Sequence, residues 1–206
     1  MTGNMLIAQS GGPSMVINQS LVGAVLAAKA SNKIVEIYGA LHGIQGIFDE
    51  DFIDLRAEPE EVLLKVAQTP SSALGSVRRK PTSDDCRALF AVLAKRNIRY
   101  FFYIGGNDSA ETANIIAQEA EAQGYDLRCF HIPKTIDNDL LCNDHTPGYG
   151  SAARFVACAV RGDDLDNRAL GGVKIEVIMG RNAGFLTAAA AQGARDGLLR
   201  RARALA

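Results

Sequence analysis

The densest run of reactive side chains is Pro133-Lys134-Thr135-Ile136-Asp137-Asn138-Asp139, where two carboxylates flank an amide and follow a cation and a hydroxyl. If this segment is extended, Asp137 and Asp139 project to the same side. One then serves as a base while the other holds a divalent ion, which neutralises phosphate charge. A solvated turn rich in Asp and Asn is the plainer reading. It does not explain why so polar a cluster follows directly on an apolar run.

Four further loops carry the residues of anion chemistry. Ser10-Gly11-Gly12-Pro13-Ser14 and Ile104-Gly105-Gly106-Asn107-Asp108-Ser109 each place paired glycines between an apolar run and a helical pattern. Glycines there let backbone approach an anion, and the following helix points its free N–H groups at it. For the first loop, a tight turn that merely needs flexible residues reads equally well, since it is neither a Walker loop nor G-x-G-x-x-G. In the second, Asn107 and Asp108 also read as simple helix caps. Met179-Gly180-Arg181-Asn182-Ala183-Gly184 sets an arginine at a helix start, against the dipole, and so implies an anionic partner; a surface salt bridge competes. Leu74-Gly75-Ser76-Val77-Arg78-Arg79-Lys80 reads as an anion clamp or as a solvated basic face. His42, His131 and His145 lack metal-ligand or triad spacing and are read as structural.

These loops need elements to hold them. Short apolar runs at Met5–Ala8, Ile34–Tyr38, Tyr100–Ile104, Leu127–Ile132 and Val173–Met179 read as strands buried on both faces. Met15–Ala30, Glu60–Gln68, Asp84–Arg96, Ala110–Gln123, Ser151–Asp164 and Asn182–Ala194 read as helices, with Ser83 as an N-cap and with stops at Asn97 and Gly124. Alternating strands and helices predict an α/β fold: a three-layer, Rossmann-like, mostly parallel sheet with helices on both faces. Ligands bind such sheets beyond the carboxyl ends of the strands, which is where four of the five loops fall.

Length and composition set bounds. At about 150 residues per domain, 206 residues make one large domain or two small ones. With 48% hydrophobic and 22% charged residues, disordered, collagenous and coiled-coil classes are excluded. A net charge of −1 argues against a nucleic-acid partner. Cys86, Cys129, Cys142 and Cys158 form no C-x-x-C pair, which predicts reduced thiols and a cytoplasmic setting. The N-terminus does not read as a signal peptide, and no run nears the roughly 18 apolar residues of a membrane span.

Together, the five loops resemble the phosphofructokinase family, its pyrophosphate-dependent branch in particular. Gly11-Gly12-Pro13 with Asn18 resembles the family's first phosphate loop, and Leu74-Gly75-Ser76 with Arg78 its arginine-bearing loop. Gly105 to Ser109 is similar to its GGDxS element, Pro133 to Asp139 to its P-x-T-I-D-N-D segment, and Met179-Gly180-Arg181 to its M-G-R. The resemblance implies the fold of the family's N-terminal lobe and phosphoryl transfer from pyrophosphate to the C1 hydroxyl of fructose 6-phosphate, with Mg2+. Asp137 would be the general base, Thr135 would contact the transferred phosphoryl group, and Arg78 would neutralise its charge. Gly11, Gly12 and Gly106 would offer backbone N–H groups to the donor, with Asn107, Asp108 and Ser109 beside them. Thr135, Asp137, Met179, Gly180 and Arg181 would face the sugar phosphate, and Asp108 and Asp139 the metal.

ATP-using members typically carry Gly at the positions of Asp108 and Lys134. Here the Asp would repel a nucleotide's α-phosphate, and the Lys would suit compact pyrophosphate. Ile44, where many ATP-using members have Tyr, points the same way. Asn107 stands where the family usually has Asp, so the metal would rely on Asp139 and the donor. The expected organisation is a donor-binding lobe over 1–192 and an atypical, arginine-rich tail over 193–206. The family's second, sugar-phosphate lobe would be largely absent, as from a frame truncated or shifted near residue 192. The family implies a homo-oligomer when that lobe is present. Competing expectations are a catalytically dead, phosphate-binding remnant and an ATP-dependent phosphofructokinase. A kinase of the NAD or diacylglycerol type shares a related loop but not the Pro133–Asp139 segment.

Overall fold

The computed structural model describes residues 1–79 and 81–204, without the side chains of residues 83, 84, 86, 87 and 195–204. Lys80, the Cys86 thiol and the arginines of the 193–206 stretch therefore lie outside what is described. The elements are β1 (Gly3–Gln9), α1 (Met15–Lys29), β2 (Ile34–Ala40), α2 (Ile44–Phe48), β3 (Phe52–Asp54), α3 (Glu60–Ala67), α4 (Ser83–Lys95), β4 (Ile98–Gly105), α5 (Asn107–Ala122), β5 (Arg128–Pro133), α6 (Tyr149–Leu170) and α7 (Phe185–Ala204). They fall into two compact units, Met1–Lys134 and Thr135–Ala206.

The first unit is built on one sheet of order β3-β2-β1-β4-β5. β1 lies parallel to both β2 and β4, β5 is parallel to β4, and β3 alone is antiparallel. Strand alternation creates two cores, because successive side chains leave a strand on opposite faces. From β1, Leu6 and Ala8 join Leu89, Leu93 and Ile116 of α4 and α5. Met5 and Ile7 join Ile17, Leu21 and Val25 of α1 and Leu63 of α3. The sheet is thus sandwiched between helices, the three-layer α/β arrangement that the alternation of elements predicts. Two of its helices stop at the residues expected: Asn97 (φ 48°) follows α4 and Gly124 (φ 64°) follows α5.

Three local expectations are corrected. The cap of α4 is Thr82, not Ser83: its side chain accepts from the Asp85 amide while Asp85 accepts from the Thr82 amide. α7 starts at Phe185 rather than 182, so Arg181 lies in a turn before the helix and not in its first turn. The run Val173–Met179 is not a strand. Val173, Ile175 and Val177 are 87–95% exposed, and the second unit holds no other strand among the described residues to take the ladder bonds of an extended segment. α2 and β3, of five and three residues, carry too little pattern to be read in advance.

The second unit pairs α6 with α7. Leu186 and Ala190 of α7 are buried, Phe185 meets the Tyr149 ring edge-on, and a side chain at Gly193 would collide with the Ala157 carbonyl of α6. No helix among the described residues is long and apolar enough to cross a membrane.

Candidate functional site

In the first unit, the β1–α1 and β4–α5 loops leave the same end of neighbouring parallel strands. They are joined beneath by the Ser10 and Ser109 hydroxyls, 2.5 Å apart and both buried. Gly105 is required there: a Cβ would run into the Ser109 hydroxyl and stand 2.8 Å from the Ser10 carbonyl. Tyr103 completes the support, its hydroxyl bonded to Ser10 and to the Ile44 backbone, with burial pushing its pKa up. Ser109 therefore ties one glycine loop to the other through its side chain.

Above this tie, the backbone is exposed to a ligand. Gly11 takes φ 80°, a left-handed conformation that favours glycine. Neither α1 nor α5 has a side-chain cap on its first-turn amides, so those N–H groups remain suited to an anion. Lys134, directly after β5, is 7% exposed. Its Nζ stands 3.9 Å from where a Cβ would sit on Gly11 and on Gly12. The Lys134 amide donates to the Gly105 carbonyl at 2.7 Å. One ammonium and two glycine loops thus converge within a single unit. Asp108 is exposed in the first turn of α5, next to Asn107.

The 74–80 loop divides the expected cation cluster. Arg79 is occupied: it binds Asp85 at 2.6 Å and Gln45 at 2.5 Å, and covers the Phe48 ring. Three contacts within the protein thus engage its guanidinium. Arg78 is exposed, and no ion pair among the described residues holds it.

In the second unit, Thr135 to Thr146 forms a compact loop. The Thr135 hydroxyl donates to Asp139 Oδ1 at 3.1 Å and accepts from the Asp137 amide at 3.1 Å. Asn138 adopts φ 59°, and its buried amide binds the Asp144 carbonyl and the Thr146 N–H. Thr146 returns a bond to the Thr135 carbonyl at 2.6 Å. The segment is therefore a turn rather than extended, and the alternation argument for Asp137 and Asp139 does not apply. Asp137 is half-buried, and no hydrogen bond or ion pair engages its carboxylate among the described residues. Gly180 closes a tight turn in which the Ala183 amide donates to the Gly180 carbonyl at 2.7 Å; a Cβ would strike the Ala183 carbonyl. Met179 and Arg181, at φ 50°, flank it and are exposed.

Among the described residues, no three His, Cys, Asp or Glu side chains gather into a metal cage. Magnesium commonly takes only one or two carboxylates and completes its shell with water and phosphate oxygens. Asp108 in the first unit and Asp139 in the second each offer a hard oxygen donor of the kind such an ion takes.

Sequence reasoning passed over Gln9 and Ser72, and read His131 as structural. Gln9, at the buried end of β1, receives the Leu74 N–H and the Ser72 hydroxyl, each at 2.8 Å. His131 Nε2 lies 3.0 Å from the Gly105 carbonyl, at the root of the second glycine loop. A polar residue closing an apolar strand was the available signal for Gln9.

A model of the phosphofructokinase family matches residues 4–199. The chain is 59% identical over 191 residues to a pyrophosphate–fructose 6-phosphate 1-phosphotransferase of Rhodospirillum rubrum, an alignment covering 93% of this chain and 47% of that protein. A protein of the same name from Xanthomonas campestris is 44% identical, over 91% of this chain and 47% of its own length. The crystal structure of a pyrophosphate-dependent phosphofructokinase from Nitrosospira multiformis superposes with a TM-score of 0.83 at 37% identity, covering 93% of this chain and 49% of that one. The chain thus spans about half the length of the relatives it matches.

Proposed function

This chain belongs to the phosphofructokinase family, and on that premise we propose that it carries the phosphoryl-donor side of a pyrophosphate-dependent fructose 6-phosphate phosphotransferase. The observation that carries this reading is the buried Lys134 ammonium beside the Gly11-Gly12 loop. A single compact ammonium suits pyrophosphate, whose charge is concentrated in a small volume. The names of the Rhodospirillum and Xanthomonas relatives support the same donor and acceptor.

In this reading, backbone N–H groups of Gly11, Gly12 and Gly106 receive the donor's oxygens, and Lys134 and Arg78 neutralise its charge. Asn107 and Asp108 border it from α5, and Ser109 holds the two loops together beneath it. Asp137 removes the proton from the C1 hydroxyl of fructose 6-phosphate. The C1 oxygen then forms a bond to the terminal phosphorus as the bridging P–O bond breaks, leaving a phosphate ester at C1 and releasing orthophosphate. Thr135 fixes the Asp137 amide and the Asp139 carboxylate, and so sets the base and its neighbour in one turn. Met179, Gly180 and Arg181 contribute to the sugar-phosphate side. Asp139 and Asp108 are the carboxylates that would offer oxygens to Mg2+, which would neutralise phosphate charge when bound.

The test is a calorimetric titration of the 206-residue chain with pyrophosphate and then ATP, both with Mg2+, followed by a turnover assay with fructose 6-phosphate. Binding of pyrophosphate in preference to ATP is expected. Preference for ATP removes the donor assignment, and binding without turnover favours a phosphate-binding chain that does no chemistry alone. In an assembled enzyme, Asp137→Asn lowers turnover by about a thousandfold or more, as loss of a general base does, with pyrophosphate affinity nearly intact. Turnover within a few-fold of native defeats the base assignment.

A further inference from the structure

Two buried amides hold the Arg78 loop in register. Gln9 is fully buried and Asn18 is 1% exposed. Gln9 closes β1; Asn18 lies in the first turns of α1; between them runs the Gly11-Gly12 loop. Gln9 Oε1 accepts from the Leu74 N–H and the Ser72 hydroxyl at 2.8 Å. Asn18 Oδ1 accepts from the Ala73 N–H at 2.8 Å, and its Nδ2 donates to the Thr69 carbonyl at 2.9 Å. The two side chains also touch, Gln9 Nε2 donating to Asn18 Oδ1 at 3.4 Å. All four grasped residues precede Arg78 by four to nine positions in the chain.

A third strap runs the other way. The Ser76 hydroxyl donates to the Gly11 carbonyl at 2.5 Å. Because a trans peptide is planar, fixing that carbonyl also fixes the Gly12 N–H, which points opposite to it. The bond therefore sets the orientation of a backbone donor in the first glycine loop and anchors a residue two before Arg78.

Stability alone does not call for this arrangement, since apolar partners of the same shape fill a core at least as well as paired amides. What the amides specify is one register of one loop upon another. We propose that Gln9, Asn18 and Ser76 are positioning residues for the phosphoryl donor. They lock the Arg78 loop onto the Gly11-Gly12 loop, and their loss weakens donor binding through Arg78 and the Gly12 N–H. This rests on the reading that Arg78 and the first loop meet the donor.

The experiment combines magnesium pyrophosphate titration of the 206-residue chain with amide hydrogen exchange. Ser76→Ala and Gln9→Met are each expected to weaken binding about tenfold, the scale of a lost buried hydrogen bond. Ser76→Thr, which keeps the hydroxyl, restores near-native affinity. Exchange at Leu74 quickens about tenfold or more in Gln9→Met, and at Ala73 in Asn18→Leu, with the β4 amides unchanged. Gln9→Met is also combined with Arg78→Met, and there its further loss shrinks to about twofold or less, as coupled residues behave. If Arg78→Met weakens binding while Gln9→Met and Ser76→Ala do not, or if the Gln9→Met loss persists in full without Arg78, the clamp is wrong and the donor reading stands. If Arg78→Met has no effect, the donor reading of that loop fails and the proposal with it. If the native chain binds no pyrophosphate, the donor site of this chain fails, and unchanged exchange at Ala73 and Leu74 then rules out the clamp as well.

Discussion

In the proposed reading, donor choice turns on two side chains, Asp108 and Lys134. Asp108 stands exposed at the start of α5, where a carboxylate favours the dipole but repels further phosphates. Lys134 is buried at the first glycine loop, where a longer donor would need its space. Replacing both with Gly is expected to raise affinity for magnesium ATP about tenfold or more and to lower that for pyrophosphate by a similar factor, the range of one charged hydrogen bond. Titration of the double variant checks this; unchanged ATP affinity removes the charge-and-bulk argument. Residue types, read against the family's pattern, singled out these two positions. They did not reveal that Arg79 is consumed by Asp85, Gln45 and Phe48, because partners 6 to 34 residues away are joined only by the fold.

At the scale of elements, β5 carries a built-in response to pH. His131 bonds the Gly105 carbonyl at the root of the second glycine loop, and burial holds its pKa below the ordinary 6.5. A histidine of depressed pKa stays neutral in the folded chain after the unfolded chain has taken up a proton. Its contribution is present above about pH 6.5 and is lost as pH falls toward the folded value. Stability is therefore expected to decline as pH falls below about 6.5, and His131→Asn should flatten that part of the profile. Denaturant melts of both proteins across the range measure it; parallel profiles exclude His131 as the source. The acidic residues Glu50 and Asp85, whose pKa values are lowered by Lys95 and by the Thr82 amide respectively, act in a lower window. Strands and helices of the first unit were legible because each repeats its apolar period over several residues. β3, paired to β2 from the edge, and α2 were too short to repeat anything.

Across the whole molecule, apolar surface is unevenly distributed. The first unit buries its two cores on either side of the sheet. In the second, Phe155, Leu170, Val173, Ile175 and Val177 are 73–95% exposed, and α6 has no buried residue. Such surface associates in water. Sedimentation of the 206-residue chain should show concentration-dependent self-association, and Val173→Lys with Val177→Lys should reduce it. A monomer at every concentration up to about 100 μM, well within the range where weak patches pair, counts against this expectation.

The residues alone established the alternation of strands and helices, the glycine loops after β1 and β4, and the order of motifs that marks the family. The first two are local in the chain and follow from periodicity and turn chemistry, and the motif order marks the family by resemblance. Folding in three dimensions decided the rest. Val173–Met179 has the composition of a strand, yet pairing requires a neighbour, and no local pattern supplies one. Thr135 to Asp139 carries an extended-looking alternation, but Asn138 turns the chain because Asp144 and Thr146, six and eight residues on, capture its side chain. Gln9 is one polar residue at a strand end until residues 72 and 74 arrive to donate to it. Hydrogen bonds between distant segments have no period to read; they exist only once the sheet has brought those segments together.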